Sequence, residues 1–412
     1  MPFRIALSGL NAASADLKAT GNNIANAGTI GFKSSRTEFV DIFATGYGGI
    51  SATAIGGGTR LAGVTQQFSQ GNVDFTDNNL DLAINGQGFF VLDNDGTQLL
   101  SRAGAFKVDR DGFAVNSSGS RLQIFPATVS SNGTTFDTGR LSNLQLSTSE
   151  GAPAATSEVT SILNLDAGET VPAAAFDTAA PLPDQYNAST SLTVYDSLGT
   201  QHTATQYFVK TGANTWNNYL YVDNTLVTTG GADFGTLTFN PDGSLATPAG
   251  GAVVFDAYVP STGAQNMQLD LDFSQATQYG SSFSVSTLRQ DGFSAGRLSG
   301  IDIDAEGIIS ARYTNGQSLT MGKVAMANVS NPQGLAPQGD TVWGLTYSAG
   351  DLLLGEAGTS SFGLLQSGAL ESSNVDIASE LVSLITAQRN YQANAQVIST
   401  ADTVTQTIIN IR

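Results

Sequence analysis

Two rows of apolar residues with heptad spacing stand at opposite ends of this chain of 412 residues. Successive members are alternately four and three positions apart, the spacing of a helix that packs along another helix. The N-terminal row consists of Phe3, Leu7, Leu10, Ser14, Leu17, Gly21 and Ile24, and the C-terminal row of Ile377, Leu381, Leu384, Gln388, Tyr391, Ala395 and Ile398. A parallel row consists of Val397, Ala401, Val404, Ile408 and Ile411. The pattern predicts two long terminal α-helices whose apolar members form helix interfaces.

Both rows are narrow, and Asn, Gln, Ser and Thr cover most of the remaining helix circumference. A helix with so little apolar surface is not stable alone, and a polar but uncharged surface suits close packing among other helices. Packing of each helix on the core of its own domain is the ordinary alternative. The position of both rows at the ends of the chain favours contact between the two helices and with further copies of them. Residues 372–376, SSNVD, offer N-cap side chains for the second helix.

Between the ends, apolar residues recur at every second position, as in LDLAINGQGFFVLD and LLSRAGAFKVD, which predicts short β-strands. Turn sequences with Asp or Asn first and Gly fourth separate them: DNDG (93–96), DRDG (109–112), NSSG (116–119), NPDG (240–243) and DAEG (304–307). This form predicts a type I turn followed by a left-handed glycine. A calcium-binding loop is the alternative, but these turns lack the spaced oxygen ligands and the later Glu of such a loop.

A change in composition marks an internal domain. Between Arg140 and Arg289 one basic residue, Lys210, stands against thirteen Asp and Glu. The sequence therefore predicts an α+β protein, in which the long terminal α-helices form an inner coiled-coil layer and nested, mainly β domains lie outward. The helical domain comprises 1–24 and 366–412, and a linker comprises 25–70 and 363–365. A discontinuous β domain comprises 71–145 and 285–362, and an acidic outer β domain, 146–284, is inserted into it.

The net charge of −18 is unevenly distributed. Residues 1–70 hold five basic and three acidic residues, and residues 365–412 hold two and four, so the middle of the chain carries the excess of acid. An acidic body repels phosphate backbones, which argues against a nucleic acid partner. A run of about 18 apolar residues does not occur, so no membrane insertion is expected. Ser, Gly and Asn interrupt the first apolar stretch, so we expect a retained helix rather than a cleaved signal peptide.

Residue types that carry catalysis, cofactors or metals are scarce in the sequence. Without Cys, the chain has no disulfide, thiolate nucleophile or thiolate metal ligand. Its one histidine, His202, stands at a strand position that is expected to face outward, without a second His for a metal or nucleophile site. The pairs Asp270/Asp272 and Asp302/Asp304 have the residue type of glycosidase carboxylates, but alternate Asp residues on a strand are usually its solvated face. We therefore expect no enzyme activity, no cofactor and no bound metal.

Several stretches resemble the bacterial flagellar axial family, which includes rod and hook proteins, and among these the hook proteins. They are ALSGLNAASADLKATGNNIANAGTIGFKSSRTEF, NLDLAINGQGFFVL, LSRAGAFKVDRDGF, NPQGLAPQGDTVW, FGLLQSGALESSNVDIASELV and AQRNYQANAQ. These motifs lie within residues 1–125 and roughly 285–412, which is more than half of the chain. The acidic insert carries no such motif, as expected of a variable outer domain.

The resemblance implies a structural subunit that polymerises into the flagellar hook, a curved and flexible tube that acts as a universal joint and transmits motor torque from the rod to the filament. It implies contacts with copies of the chain, with the flagellar rod, hook cap and hook–filament junction proteins, and with the flagellar export apparatus. It also implies type III export without a cleaved signal peptide and a location in the extracellular hook. The two helices would form the inner coiled-coil layer, and the polar stretch after the first helix would be a joint.

The candidate joint residues are glycines, because glycine adopts backbone angles that other residues resist. They are Gly28, Gly31, Gly46, Gly48, Gly49, Gly56, Gly57 and Gly58. Two other functions remain open at this point. A distal-rod-type axial protein shares both ends but has a shorter β middle. A secreted β-rich adhesin or glycan-binding protein shares the middle but does not explain heptads at both ends.

Overall fold

The structure, a computed structural model, describes residues 2–43, 56–130, 133–146, 150–359 and 361–410. The chain forms two compact units. The first comprises Met1–Leu146, Gly300–Ala311 and Ser318–Arg412, and the second comprises Ser147–Ser299 and Arg312–Gln317. The first unit thus contains both ends of the chain, and the second unit interrupts it.

Two α-helices lie at the ends of the described chain, α1 at Pro2–Ala25 and α2 at Ile377–Asn410. α2 begins directly after the predicted capping segment, because Asp376 Oδ1 accepts hydrogen bonds from the backbone N–H groups of Ala378, at 2.9 Å, and Ser379, at 3.2 Å. These bonds satisfy two of the donors that the first turn of a helix leaves free. Together with the strands between them, the two helices confirm the predicted α+β class.

The part of the first unit that precedes the second unit in the sequence is called the outgoing half here. It contains α1 and a series of β-strands. They are β1 (Ser35–Asp41), β2 (Thr59–Gln66), β3 (Val73–Phe75), β4 (Leu82–Asn85), β5 (Phe89–Asn94), β6 (Thr97–Ser101), β7 (Lys107–Val108), β8 (Ala114–Val115), β9 (Arg121–Ser130), β10 (Gly133–Phe136) and β11 (Ser142–Asn143). β1 and β2 form a separate antiparallel ribbon, whereas β5, β6 and β9 pair within a larger antiparallel sheet.

The second unit is a β-sandwich. Its strands are β12 (Glu158–Asp166), β13 (Ala188–Tyr195), β14 (Gln201–Gly212), β15 (Thr215–Val222), β16 (Thr225–Val227), β17 (Gly235–Phe239), β18 (Leu245–Thr247), β19 (Ala252–Val254), β20 (Asp270–Asp272), β21 (Thr277–Tyr279) and β22 (Ser284–Gln290). One sheet has the order β13-β14-β15-β17-β18, with β16 beside β15, and the other has β19-β20-β12-β21, with β22 beside β12. Both sheets contribute to one buried apolar core that includes Leu163, Phe208, Trp216 and Phe273.

The part of the chain that follows the second unit is called the returning half. It contains the remaining strands, two short 3₁₀ helices, Pro332–Gly334 and Tyr347–Ala349, and α2. The strands are β23 (Leu298–Ile303), β24 (Ile308–Tyr313), β25 (Ser318–Val324), β26 (Met326–Val329), β27 (Ala336–Gly339), β28 (Val342–Gly344), β29 (Leu352–Gly355), β30 (Leu364–Ser367) and β31 (Ala369–Glu371). The large sheet follows the order β23-β24-β25-β9-β5-β6-β28-β27, β3 pairs with β31, and β4 pairs with β30. Outgoing and returning strands therefore pair with one another in the first unit, and together they form its β body.

Aromatic residues from both halves of the chain pack in the core of this body. The rings of Phe68, Phe89 and Trp343 meet edge to face, with centroids 5.5–5.9 Å apart. Trp343 Nε1 also donates to Gln66 Oε1 at 2.5 Å, which attaches the end of β2 to the body. Edge-to-face pairs add stability beyond the apolar area that they bury.

Two predicted boundaries differ from the structure. β22 pairs antiparallel with β12, so the second unit continues to Ser299 rather than ending at residue 284. Composition misses this because the pairing partner of β22, β12, lies far away in the sequence. The helical segment predicted from residue 366 starts later, at Ile377, because β30 and β31 come first.

Four of the five predicted turns have the predicted form. Their fourth residues have left-handed φ angles and donate a backbone hydrogen bond to the first: Gly112 (φ 84°), Gly119 (91°), Gly243 (84°) and Gly307 (83°). The DNDG turn differs. Asn94 pairs with Thr97, which leaves a two-residue loop of Asp95 (φ 49°) and Gly96 (φ 88°). Positive φ at both loop residues is the type I′ turn that tight hairpins favour.

His202 is buried, whereas the sequence pattern predicted that it faces outward. Its Nδ1 lies 2.5 Å from Asp223 Oδ2, and its Nε2 lies 3.2 Å from Asp196 Oδ2. Burial alone would lower the pKa of His202, but the hydrogen bonds to the two carboxylates outweigh burial and raise that pKa. The prediction took the wrong phase of the alternation, because the neighbours Gln201 and Thr203 are the exposed residues of this strand.

Candidate assembly surface

The two terminal helices lie side by side in antiparallel orientation. Gly9 of α1 approaches Asn394 of α2 so closely that a Cβ atom on Gly9 would overlap the Asn394 side chain. Farther along α1, Asn23 Nδ2 donates to Glu380 Oε1 at 3.0 Å. Residue numbers therefore rise along one helix while they fall along the other.

Small side chains form the contact between the helices. Ala6, Ala13 and Thr20 follow one another at heptad spacing on α1 and are buried, as is Ala387 on α2. The predicted row on α1 includes Leu7, the position after Ala6, and thus lies about 100° further round the helix. The contact within one chain is therefore a heptad seam of small residues that lie beside the predicted row.

The predicted interface residues lie beside this seam, and one chain does not cover them. The exposed members are Phe3, Leu7, Ile377, Leu381, Tyr391 and Val404. The half-buried members are Leu10, Leu17, Ile24, Leu384 and Ile398. The side chain of Ile408 lies outside the described residues.

Besides Val397 of the parallel row, three further apolar side chains are exposed over the described length of these helices, namely Ile5, Val382 and Ile385. They fall outside the heptad rows, so that spacing did not select them, although Ile385 follows Leu381 by one helical turn. The predicted rows leave an open apolar strip on each helix, and Val382 and Ile385 widen the strip of α2. Ile5 lies about 200° round α1 from Leu7 and therefore on another side of that helix. Exposed apolar strips of this kind mark contacts with other macromolecules.

The other side of α1 packs on the ribbon of β1 and β2. Thr37 Oγ1 donates to Asp16 Oδ1 at 2.5 Å, and the Thr59 N–H group donates to Ser8 Oγ at 3.2 Å. α1 is therefore covered on one side by α2 and on a second side by the ribbon. The side that carries Leu7 stays open.

Three buried charges join the segment after α1 to the segment before α2. Lys33 Nζ lies 2.6 Å from Glu371 Oε1, and Arg102 Nη1 lies 3.2 Å from Glu371 Oε2. Lys33 also donates to the Ser69 carbonyl oxygen at 2.8 Å, and the Gly71 N–H group donates to Glu371 Oε1 at 2.9 Å. Burial lowers the pKa of both Lys33 and Arg102, and the Glu371 carboxylate offsets part of that effect. Lys33 and Glu371 are 338 positions apart, so no local sequence pattern connects them.

The predicted joint residues differ in their surroundings. Gly28 has open space beside it. Gly31, with φ at 67°, packs against the backbone of Ala103, and its N–H group donates to the Glu371 carbonyl oxygen at 2.8 Å. Gly31 is therefore attached to the body through contacts that a shift of the backbone would break.

The remaining joint residues belong to the connection between β1 and β2. Gly57 donates its N–H to the Ile42 carbonyl oxygen at 2.5 Å, and Gly56 and Gly58 lie on either side of it. Gly46, Gly48 and Gly49 lie outside the described residues.

Within the described ranges, no cluster of three or more His, Asp or Glu side chains is placed to hold a metal ion. Neither helix, over its described length, is long and apolar enough to cross a membrane. What the ends of the chain present is an apolar surface suited to association.

Four family domains match the chain. They are the flagella basal body rod protein at residues 3–33, the flagellar hook protein FlgE/F/G D1 domain at 83–158, the flagellar basal body protein FlaE D2 domain at 164–293, and the flagellar basal body rod FlgEFG protein C-terminal domain at 366–411. The first and last of these contain most of α1 and α2.

Relatives match over the full length. The flagellar hook protein FlgE of Escherichia coli (strain K12) is 38% identical, and that of Salmonella typhimurium (strain LT2) is 37% identical, each covering 100% of both chains. The flagellar hook protein FlgE of Borreliella burgdorferi is 31% identical over 98% of each chain.

A solved structure shares the fold. The crystal structure of Helicobacter pylori flagellar hook protein FlgE2 covers 73% of this chain and 100% of that chain, with a TM-score of 0.54 at 14% identity. The fold agrees with the full-length sequence matches. The chain belongs to the flagellar hook protein FlgE family.

Proposed function

We propose that this chain is the structural subunit of the flagellar hook and that its copies polymerise through the open apolar strips of α1 and α2. The product is a curved, flexible tube that transmits torque from the rod to the filament. The observation that supports this assembly route is the contrast on α1 and α2 between a closed seam of small residues and large apolar side chains left open beside it. A single chain gains no stability from such a surface, whereas a polymer buries it.

The comparisons favour the hook over the two alternatives. The relatives of Escherichia coli and Salmonella typhimurium that match at full length are hook proteins. A secreted adhesin or glycan-binding protein does not account for matches that span both terminal helices and the β body.

The proposed partners follow from this role. Besides copies of itself, the chain contacts the flagellar rod, the hook cap, the hook–filament junction proteins and the export apparatus. It leaves the cell through that apparatus without cleavage of a signal peptide and resides in the extracellular hook. A subunit of this kind needs no catalysis, cofactor or nucleic acid, and its acidic body repels nucleic acid.

In the proposed tube, α1 and α2 form the inner layer and the acidic second unit lies outermost. We place the joint between layers at Gly28 and in the connection between β1 and β2, which includes Gly56, Gly57 and Gly58. Close-packed β domains do not lengthen or shorten as a tube bends, so the change in length falls on such connections. Gly31 is a weaker candidate because of its contacts with the body.

The experiment is electron microscopy of tubes grown from purified protein carrying Leu381→Asp. Leu381 is 45% exposed in the single chain, so the substitution leaves the monomer folded. In a polymer, the new carboxylate is buried against a neighbour and carries a desolvation penalty of several kcal/mol in every subunit. We expect no tubes, with an unchanged circular dichroism spectrum of the monomer.

The matched control is Asn390→Asp, which adds the same side chain at an exposed polar position of the same helix, nine positions after Leu381 and thus on the opposite side of the helix. We expect this variant to form tubes. Normal tubes from Leu381→Asp would show that this strip is not the assembly surface, while the assignment to the hook family would still hold.

A further inference from the structure

Two amide side chains are enclosed in the apolar core of the second unit. Gln206 on β14 and Asn218 on β15 are both 0% exposed. Gln206 lies opposite Leu220, and Asn218 lies opposite Phe208. Residues directly opposite in an antiparallel pair point to the same face, so both amides project with Leu220 and Phe208 into the space between the two sheets.

Most of the polar atoms of these amides are not satisfied by the protein. Gln206 Oε1 and both Asn218 Oδ1 and Asn218 Nδ2 have no hydrogen-bond partner among the described residues. Gln206 Nε2 makes only a long contact, 3.4 Å, with Ser161 Oγ on the facing sheet. A buried amide without partners is costly, and native cores seldom contain one unless ordered water completes its bonds.

We propose that Gln206 and Asn218 bind ordered internal water in the core of the second unit. Diagonal neighbours on a sheet are about 7–8 Å apart, a span that two hydrogen bonds of about 2.9 Å through a water molecule cover once the side chains lean inward. The side chains beside Gln206 on this face are small, namely Ser161 on the facing sheet and Ala204 two positions earlier on β14. Water donates to the two carbonyl oxygens and accepts from the Asn218 N–H group.

The chemistry of this site selects a neutral ligand. Its polar lining consists of two amides and the hydroxyl of Ser161, whereas bound metal ions and anions are normally held by charged groups. Water is small enough for a space between two packed sheets and supplies both donors and acceptors. Bound there, it links β14 and β15 to β12 of the facing sheet through Ser161.

The first test uses the full chain with the near-isosteric substitutions Gln206→Met and Asn218→Leu. Either one removes partners of the shared water, so we expect each to lower the thermal unfolding midpoint of the second unit by several degrees. The double variant is expected to fall by less than the sum, because the second substitution has no water left to release. Asn217→Leu, on the opposite face of the same strand, is the matched control and should leave the midpoint nearly unchanged.

The opposite result overturns the proposal. If the amides are dry, apolar replacements relieve unsatisfied groups, so both single variants gain stability and their effects add. Unchanged midpoints would also overturn it. An experimental density map of the unsubstituted chain, fine enough to show other buried waters, decides the case even where a variant fails to fold. We expect density within hydrogen-bond distance of Gln206 Oε1 and Asn218 Oδ1, and empty or apolar-filled space there would refute the site.

Discussion

At the scale of single residues, His202 makes the second unit sensitive to pH. Hydrogen bonds to Asp223 and Asp196 raise its pKa above the ordinary 6.5. The folded state therefore holds the proton more tightly than the unfolded state does. That contribution to stability is complete below pH 6.5 and is lost as the pH rises through the raised pKa. We expect the thermal unfolding midpoint of the second unit to fall over this range, as measured by circular dichroism at a series of pH values.

At acid pH, the same cluster makes stability depend on pH in the opposite direction, because there stability falls as the pH falls. Burial would raise the pKa of Asp196, but hydrogen bonds from Thr262, from the Thr200 N–H group and from His202 hold it at about 2, below the ordinary 3.8. This contribution is lost as the pH falls from 3.8 towards 2. The control for the His202 prediction is His202→Gln, which should flatten the decline in stability above pH 6.5. An unchanged decline in that variant would contradict the assignment.

Glu371 holds two buried cations in place, so its loss is expected to be costly. Glu371→Gln leaves Lys33 and Arg102 buried without an anion, and breaking a buried ion pair in this way costs about 3–5 kcal/mol. Urea unfolding of the first unit measures the loss. The control is Glu38→Gln, because Glu38 Oε1 lies 3.7 Å from Arg36 Nη2 and both side chains are exposed. Solvent screening limits the contribution of such an ion pair to about 0–1 kcal/mol. Equal losses in the two variants would mean that the cluster is not the anchor described here.

Single residues were predictable where local chemistry decides the structure. Asp376 was among the predicted caps and caps α2, and glycines at the fourth turn position have the left-handed φ that the pattern predicts. His202 was placed wrongly because an alternating pattern has two phases. The pairing of Lys33 with Glu371 had no local signal, since only the tertiary fold brings them together.

At the scale of elements, substitutions at two glycines of α1 distinguish the effect of close helix packing on stability from the effect of helix propensity. A side chain on Gly9 overlaps Asn394, whereas Gly21 has no atoms within reach of a Cβ. We expect Gly9→Val to force the helices apart and to destabilise the full chain by about 1–3 kcal/mol. Gly21→Val should change stability by less than about 0.5 kcal/mol, because a modest gain in helix propensity is its main effect. Urea unfolding followed at the helical signal measures both.

The two variants control each other, since the chemical change is the same and only the surroundings differ. Equal effects on stability would show that α1 and α2 do not approach closely at Gly9. A Gly21→Val chain that is stable as a monomer but does not form tubes would place Gly21 on the assembly surface, where the predicted row has it.

Both helices were predictable from their heptads, but their rotation was not. Leu and Ile dominate any periodic pattern because they are strongly hydrophobic. Ala6, Gly9 and Ala13 contribute little hydrophobicity, yet they let two helix backbones approach closely. The sequence pattern therefore identified the open strip rather than the closed seam.

At the scale of the whole molecule, the acidic second unit is expected to be dispensable for tube growth. The stretch between Arg140 and Arg289 has one Lys against thirteen Asp and Glu. Such charge is costly near a crowded axis, whereas at large radius copies separate beyond the screening length of about 8–10 Å. We expect that replacing Ser147–Ser299 and 312–317 by short Gly-Ser connections yields thinner tubes in negative-stain electron micrographs.

Circular dichroism of the shortened chain is the control for this deletion. A first unit that stays folded but does not polymerise would place the second unit in the tube wall. Composition could not locate the end of the second unit, because β22 pairs with β12 only after the chain has returned from the rest of the sandwich.

The seam between α1 and α2 also sets an order of events in time. Gly9 and Asn394 lie near opposite ends of the chain, and the entropy cost of closing a loop grows with its length. A folded body removes most of that cost, because the Ser34 N–H group donates to Asn374 Oδ1 at 2.7 Å and so holds the bases of both helices together. We therefore expect the body to fold first and the helices to pair in a late, reversible step. A subunit whose helices have parted would keep a folded body, and in that state it could exchange its own seam for contacts with copies already in the tube.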